Sequence, residues 1–109
     1  MATSDENGMW NIVLFDLPVL TKTQRREATK FRKLLIDLGW VMEQYSVYVR
    51  YVPTGMSVVP EIQVMKKNLP GKGRVEIVSV TDRQWSKAIR FLNEKPENPP
   101  EPPAQLTIF

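Results

Sequence analysis

Two residue types are missing from this chain of 109 residues, which contains neither cysteine nor histidine. Without cysteine the protein can form no disulfide and no thiolate metal site, and thiol catalysis is excluded. Without histidine the commonest general base is absent, so a Ser-His-Asp triad and an imidazole-bound metal are excluded as well. Any catalysis must therefore use carboxylates, basic side chains, hydroxyls or a hard metal ion.

The chain also lacks a long hydrophobic run. Its first eight residues are polar and acidic, with no basic flank and no apolar stretch of the kind found in signal peptides or membrane anchors. We expect residues 1–8 to be a short disordered leader. The sequence indicates a cytoplasmic protein without membrane association.

The strongest functional signal is the segment IVLFDLP, residues 12–18. Met9 to Phe15 predicts a buried central strand, and Asp16 lies where that strand ends. A carboxylate at a strand end can hold Mg²⁺ through one or two contacts, and in a two-fold dimer it would meet its own copy. Asp16 can equally be a residue that caps the turn at Pro18 or the helix that follows.

A basic amphipathic helix is predicted directly after this strand, from Lys22 to Leu38, with Gly39 as its stop. Between residues 22 and 33 six basic residues stand against one acidic residue, Glu27. The spacing of Arg26, Lys30 and Lys33 puts them on one helix face, where they can follow a phosphate backbone. The predicted nucleic-acid contacts are Lys22, Arg25, Arg26, Lys30, Lys33, Lys72 and Arg74. A solvated basic surface is the alternative, especially for Lys72 and Arg74.

The remaining elements predict an α+β fold. Residues 40–52 alternate as one bent strand or two strands, Val58 to Leu69 reads as a second helix, and Arg74 to Val80 as a final strand. Tyr45, Tyr48 and Tyr51 within the alternating segment suit either base stacking or packing. The order β-α-β-β-α-β is that of a ferredoxin-like sandwich.

The C-terminal part is predicted to extend beyond this sandwich. Residues 82–92 suggest a short amphipathic helix, so we place the ferredoxin-like domain at residues 9–95. Five prolines between Pro96 and Pro103 then form a stiff segment. Residues 96–109 are predicted to be a Pro-rich arm ending in a strand that packs on a partner subunit, through Leu106, Ile108 and Phe109.

The motifs IVLFDLP, TKTQRREATKFRKLLIDLGW and QYSVYVRY, in this order, resemble the small CRISPR-associated Cas2 proteins, in particular those of type II systems. The resemblance covers about residues 10–80. It implies a ferredoxin-like homodimer in which the C-terminal strand completes the partner's sheet. It also implies that Asp16 is the catalytic and Mg²⁺-binding aspartate of a metal-dependent endonuclease acting on RNA or DNA.

The same resemblance favours another role as the biological task, with nuclease activity as an accompanying attribute, because the family also forms the central dimer that bridges two pairs of the Cas1 integrase. That complex holds a short DNA duplex and inserts it into the repeat array during spacer acquisition, and the basic helix would grip the duplex backbone. Two alternatives stay open at the level of sequence. One is a stand-alone, toxin-like endoribonuclease, and the other is a dimeric small-molecule-sensing domain of similar fold.

Overall fold

A computed structural model describes residues 8–93 and 95–97 of the protein. Its strands are β1 (Met9–Asp16), β2 (Val41–Gln44), β3 (Val47–Val52), β4 (Arg74–Thr81), β5 (Arg90–Leu92) and β6 (Lys95–Glu97). Its helices are α1 (Lys22–Asp37), α2 (Val59–Lys67) and α3 (Asp82–Ser86). Residues 1–7 of the predicted leader and residues 98–109 of the predicted arm, with Leu106, Ile108 and Phe109, lie outside the described residues.

The main sheet is four-stranded and antiparallel, in the order β2-β3-β1-β4. This order and the two helices between the strands confirm the predicted ferredoxin-like α+β fold. β1 lies inside the sheet and pairs with both β3 and β4. Asp16 at its end is opposite Arg74 at the start of β4.

One face of the sheet is covered by α1 and α2. The core on this side consists of Val13, Phe15, Leu17, Ala28, Phe31, Leu35, Trp40, Tyr48 and Met65. Phe15 is its centre, with its ring edge-on to Phe31 at 5.3 Å and stacked on Tyr48 at 5.8 Å. The helical spacing of Ala28, Phe31, Leu35 and Leu38 predicts an inward side of α1; the first three are buried and Leu38 packs against them.

Local chemistry fixes both ends of α1. The Thr21 hydroxyl accepts a hydrogen bond from the backbone N–H of Gln24, and the Gln24 side chain accepts one from the backbone N–H of Thr21. At the other end Gly39 adopts a φ of 94°, a left-handed conformation that glycine tolerates and that ends the helix as predicted.

The second face of the sheet, which we call the open face, is only partly covered. Trp10, Val49, Tyr51 and Trp85 form a smaller core there. The Trp10 ring stacks on Trp85 at 5.1 Å, and its indole N–H donates to Asp82 Oδ1 at 2.9 Å. These contacts hold α3 against the beginning of β1, whereas Leu14 and Val78, toward the other end, stay partly exposed.

The alternating segment forms two strands, β2 and β3, joined by a turn at Tyr45 and Ser46. Ser46 has a φ of 73°, which the tight reversal requires. Tyr48 faces the helices and Tyr51 the open face, so both faces of β3 are buried. α2 is two residues shorter at its C-terminal end than predicted, and Leu69 beyond it is exposed.

The predicted helix over residues 82–92 is wrong beyond Ser86. The helix ends there, and β5 pairs with β6 in a two-stranded hairpin whose turn includes Asn93 at a φ of 54°. Ile89, Phe91 and Leu92 are all exposed, so a longer helix would have no core against which to bury its apolar residues. The Arg90 guanidinium donates to the carbonyl oxygens of Trp85 and Ala88, which satisfies groups freed at the helix end. The predicted end of the ferredoxin-like domain, residue 95, falls at the first residue of β6. The domain limits of 9–95 stay a prediction.

Candidate functional site

Asp16 lies at the end of β1 with its side chain on the open face, because side chains alternate along a strand and Phe15 points to the helices. It is exposed, and its carboxylate accepts no hydrogen bond and forms no ion pair within residues 8–93 and 95–97. The N-cap of α1 is Thr21, so Asp16 does not cap that helix. A carboxylate that stabilises no local structure is available to bind a ligand.

A cavity of about 260 Å³ surrounds Asp16. It is lined by Leu14, Phe15, Asp16, Ser46, Val47, Arg74 and Glu76. Arg74 is the nearest predicted cation in the strand register, but its guanidinium pairs with Glu76 at 3.0 Å. Both partners are largely exposed, so the pair is weak and Arg74 can exchange Glu76 for a phosphate at little cost.

Gly73 brings the loop before β4 against the end of β1. Its φ is 99°, and a Cβ atom at this position would lie 2.6 Å from the backbone oxygen of Asp16 and 2.9 Å from Leu17 Cδ2. The close approach therefore needs glycine for two reasons, the left-handed conformation and the lack of a side chain. The sequence showed only a loop glycine without a phosphate-loop motif, and this positioning role was not predicted.

Gly73→Ala is expected to lower the free energy of unfolding by about 1–3 kcal/mol, because it strains φ and displaces the Asp16 backbone. Urea unfolding followed by tryptophan fluorescence measures the change. Gly71→Ala is the matched control, since a Cβ there meets no atom within 4 Å. We expect it to shift stability by less than about 0.5 kcal/mol. Equal destabilisation by the two variants would contradict the close-approach argument.

The basic residues of α1 lie elsewhere. At 100° per residue, Arg26, Lys30 and Lys33 fall on the side of the helix opposite its buried residues, and all three are exposed. We call these three residues the outer basic row. Within the described ranges none of them, nor Lys22, forms an ion pair, so their charge is not neutralised locally.

Two further predicted contacts flank the start of α1. Arg25 donates to the carbonyl oxygens of Val19 and Leu20, both at 3.2 Å, so its guanidinium is partly engaged in the preceding loop. Lys72 lines a second cavity, of about 220 Å³, together with Thr21, Thr23 and Gln24. Lys72 thus extends the positive surface of α1, whereas Arg74 belongs with Asp16.

The sequence predicted Asp16 and the basic helix as neighbouring features with different roles, and the structure places them on two surfaces. Asp16 and Arg74 lie on the open face, while the outer basic row points away from the sheet on the other side of α1. One subunit therefore cannot present a single straight phosphate backbone to both surfaces. The two surfaces are suited to separate tasks.

Arg32 of α1, which the sequence did not single out, packs against Phe15, the residue before Asp16. Arg32 is half-buried, with its guanidinium carbon 4.2 Å from the Tyr45 ring centroid and 5.4 Å from that of Phe15. Its Nε is buried without a hydrogen-bond partner among the residues described. Tyr45 is 74% exposed, in contrast to the buried Tyr48 and Tyr51. The helix spacing could have singled out Arg32, because it lies between the buried and the outer sides of α1.

The residues that could hold a metal are few. No group of three or more carboxylates converges within residues 8–93 and 95–97. Asp16 alone offers a free carboxylate in the cavity, and this fits a hard cation that takes one or two protein oxygens and completes its coordination with water or phosphate. One subunit then supplies a single carboxylate to such a site.

A family model described as CRISPR associated protein Cas2 matches residues 9–88 of the chain. The chain belongs to the Cas2 family. The matched range includes Asp16, the whole of α1, the turn at Tyr45 and Gly73, and it ends before the β5–β6 hairpin. The predicted resemblance is thereby confirmed.

Several curated Cas2 relatives align with three quarters of the chain or more. A protein of Paracidovorax avenae is 39% identical over 101 residues, which is 93% of this chain and 94% of the relative. One of Flavobacterium psychrophilum is 33% identical over 94% of this chain and 89% of its own length. One of Treponema denticola is 41% identical over 76% and 82%, respectively. All three are named CRISPR-associated endoribonuclease Cas2.

The Cas2 chain was predicted to have no membrane association. In the part of it that the structure describes, no helix is both long enough and apolar enough to cross a bilayer.

Proposed function

We propose that this Cas2 protein is a homodimeric, Mg²⁺-dependent endonuclease that cleaves RNA phosphodiester bonds at Asp16 in the cytoplasm. The observation that supports this most is the Asp16 carboxylate, exposed in a cavity and without a partner among the described residues. The name endoribonuclease, given to the relatives at 33–41% identity, agrees with this chemistry.

The dimer is proposed from the apolar part of the open face. Leu14, Val41 and Val78 are exposed there by 37%, 64% and 45%, and all three point to the same side of the sheet. Burial of apolar surface contributes a stabilising free energy of about 25 cal/mol per Å², so a second copy on this face would stabilise a small domain. Leu14 is two residues from Asp16, and a two-fold axis nearby would bring the two carboxylates together.

In this proposal the Asp16 carboxylates of both subunits would hold the Mg²⁺ ion. When bound, the ion supplies a Lewis acid that polarises a phosphate oxygen and activates water. The chain's own residues orient and attract the substrate. Gly73 fixes the backbone of Asp16, and Arg74 is placed to leave Glu76 for the phosphate.

Metal removal tests this proposal directly. The purified protein is incubated with single-stranded RNA and Mg²⁺, and with the same RNA and excess EDTA. We expect cleavage with Mg²⁺, its loss with EDTA, and recovery when Mg²⁺ is restored. Cleavage that persists in EDTA would contradict a metal-dependent site at Asp16.

A second function is proposed from the outer basic row and Lys22. Four exposed cations without local ion pairs suit sequence-independent contact with the backbone of duplex DNA. In this role the dimer bridges two pairs of the Cas1 integrase and holds the duplex for spacer acquisition.

A stand-alone, toxin-like endoribonuclease would lack this partner, so co-purification of Cas1 with the tagged protein distinguishes the two. Membership of the Cas2 family gives no support to the small-molecule-sensing alternative.

A further inference from the structure

Tyr45 is the one tyrosine of the three whose ring is not in a core. Tyr48 and Tyr51 are 2% and 8% exposed, whereas Tyr45 is 74% exposed at the tip of the β2–β3 hairpin. An aromatic ring of this size in water costs free energy unless something covers it. Its position in a turn also excludes a cross-strand packing role.

The ring of Tyr45 is nevertheless held in place. The guanidinium of Arg32 lies over one of its faces at 4.2 Å, well inside the range of a cation–π interaction. Arg32 itself is anchored against Phe15 in the core, and it forms no ion pair within the described ranges. One face of the ring is thus fixed by a cation, and the other faces solvent.

The backbone of Tyr45 adjoins the Asp16 cavity. Tyr45 precedes Ser46, which lines that cavity and accepts a hydrogen bond from the Phe15 backbone N–H at 3.1 Å. The charge of Arg32, unneutralised by any acid in the described residues, adds attraction for phosphate at this end of the sheet. Tyr45 and Arg32, which packs on the helix-facing ring of Phe15, therefore lie at the end of the sheet that holds the Asp16 cavity, whereas the Asp16 carboxylate is on the open face. A strand that contacts both must pass around this end of the sheet.

We propose that the exposed face of Tyr45, held by Arg32, stacks on one unpaired nucleobase and so positions a single-stranded nucleic acid across the Asp16 cavity. The proposal rests on the proposed nuclease function and names its substrate class. Every base has a π face, so the contact tolerates any sequence. In a duplex those faces are occupied by neighbouring base pairs, so Tyr45 discriminates single strands from duplexes. Tyr45 and Arg32 are positioning residues, and Asp16 remains the metal-binding catalytic residue of the proposed nuclease.

The test measures binding separately from cleavage. The Asp16→Asn protein, which is expected not to cleave, serves as the background, and a short RNA strand carrying one 2-aminopurine is the probe. Stacking quenches 2-aminopurine fluorescence. Tyr45→Ala is expected to abolish the quenching and to weaken single-strand binding between about 5-fold and 150-fold. Binding of the same strand annealed to its complement is expected to stay unchanged.

Three further samples sharpen this test. Tyr45→Phe keeps the aromatic face and is expected to retain both quenching and affinity. Arg32→Gln is expected to weaken single-strand binding more than Lys87→Gln, which removes an equal charge from the exposed end of α3. A DNA strand of the same sequence is expected to quench as the RNA does, because the contact is to the base rather than to the sugar.

Unchanged single-strand affinity in Tyr45→Ala, or an equal loss for strand and duplex, would overturn the stacking proposal. Its failure is distinguishable from that of the nuclease proposal. If wild-type protein quenches the probe but never cleaves RNA, stacking stands and the nuclease function fails. If wild-type protein cleaves and Tyr45→Ala binds and quenches as wild type does, the nuclease function stands and stacking fails.

Discussion

Asp16→Asn is expected to reduce RNA cleavage by about a hundredfold or more while leaving the fold and duplex binding unchanged. The substitution keeps the size of the side chain and removes its charge. It is therefore expected to weaken Mg²⁺ binding at this position and the stabilisation of the reacting phosphate. Asp16 is exposed and makes no contact that holds the described structure together, so the free energy of unfolding should change little. Initial cleavage rates on single-stranded RNA at fixed Mg²⁺ measure the effect.

Asp37→Asn is the matched control for this prediction. Asp37 is also an exposed aspartate, and it lies at the C-terminal end of α1, whereas the Asp16 cavity adjoins the segment that leads into this helix. Its neutralisation is expected to leave the rate of cleavage unchanged. A normal rate in Asp16→Asn would show that the chemistry takes place elsewhere.

Arg26→Glu combined with Lys30→Glu is expected to abolish duplex DNA binding without affecting RNA cleavage. Both residues belong to the outer basic row, on the opposite side of the subunit from the Asp16 side chain. Each lost phosphate contact lowers the slope of log Kd against log salt concentration by about 0.9. Wherever residual binding at low salt is measurable, the slope should therefore fall by about 2.

The control for this pair reverses two other exposed charges, Lys87→Glu with Lys95→Glu, outside α1. It changes the net charge by the same amount, so it separates a local contact from a general electrostatic effect. We expect it to weaken duplex binding only slightly. Unchanged duplex affinity in Arg26→Glu with Lys30→Glu at low salt would refute the assignment of the outer basic row.

Much of the fold could be predicted because its elements have strong periodicity. The apolar run before Asp16 gave β1, and the spacing of Ala28, Phe31 and Leu35 gave α1 with its inward side. Gly39 was predicted to end the helix, and it does so by adopting a left-handed backbone conformation. In these segments the local pattern and the tertiary packing favour the same structure.

The parts that could not be predicted depend on tertiary context. Residues 87–92 contain enough apolar positions for a helix, but the described part of the folded domain has no surface on which a helix there could bury them. Arg90 instead hydrogen-bonds to the end of α3, and Asn93 adopts the conformation of a turn. Periodicity assigns Asp16 to one face of β1 and Lys30 to one side of α1, but it does not say that these two sides are opposite each other in the folded domain. The roles of Gly73 and Tyr45 depend on atoms distant in sequence, Asp16 and Arg32.

In the proposed functions, cleavage and DNA holding use different surfaces of one subunit. The decisive experiment is spacer integration by the protein with its cognate Cas1 integrase, comparing wild type with Asp16→Asn at fixed Mg²⁺ and salt. The variant is expected to integrate a spacer duplex at the wild-type rate, although it no longer cleaves RNA. Failure of integration while duplex binding and complex assembly survive would refute this separation, because Asp16 would then be required for both tasks.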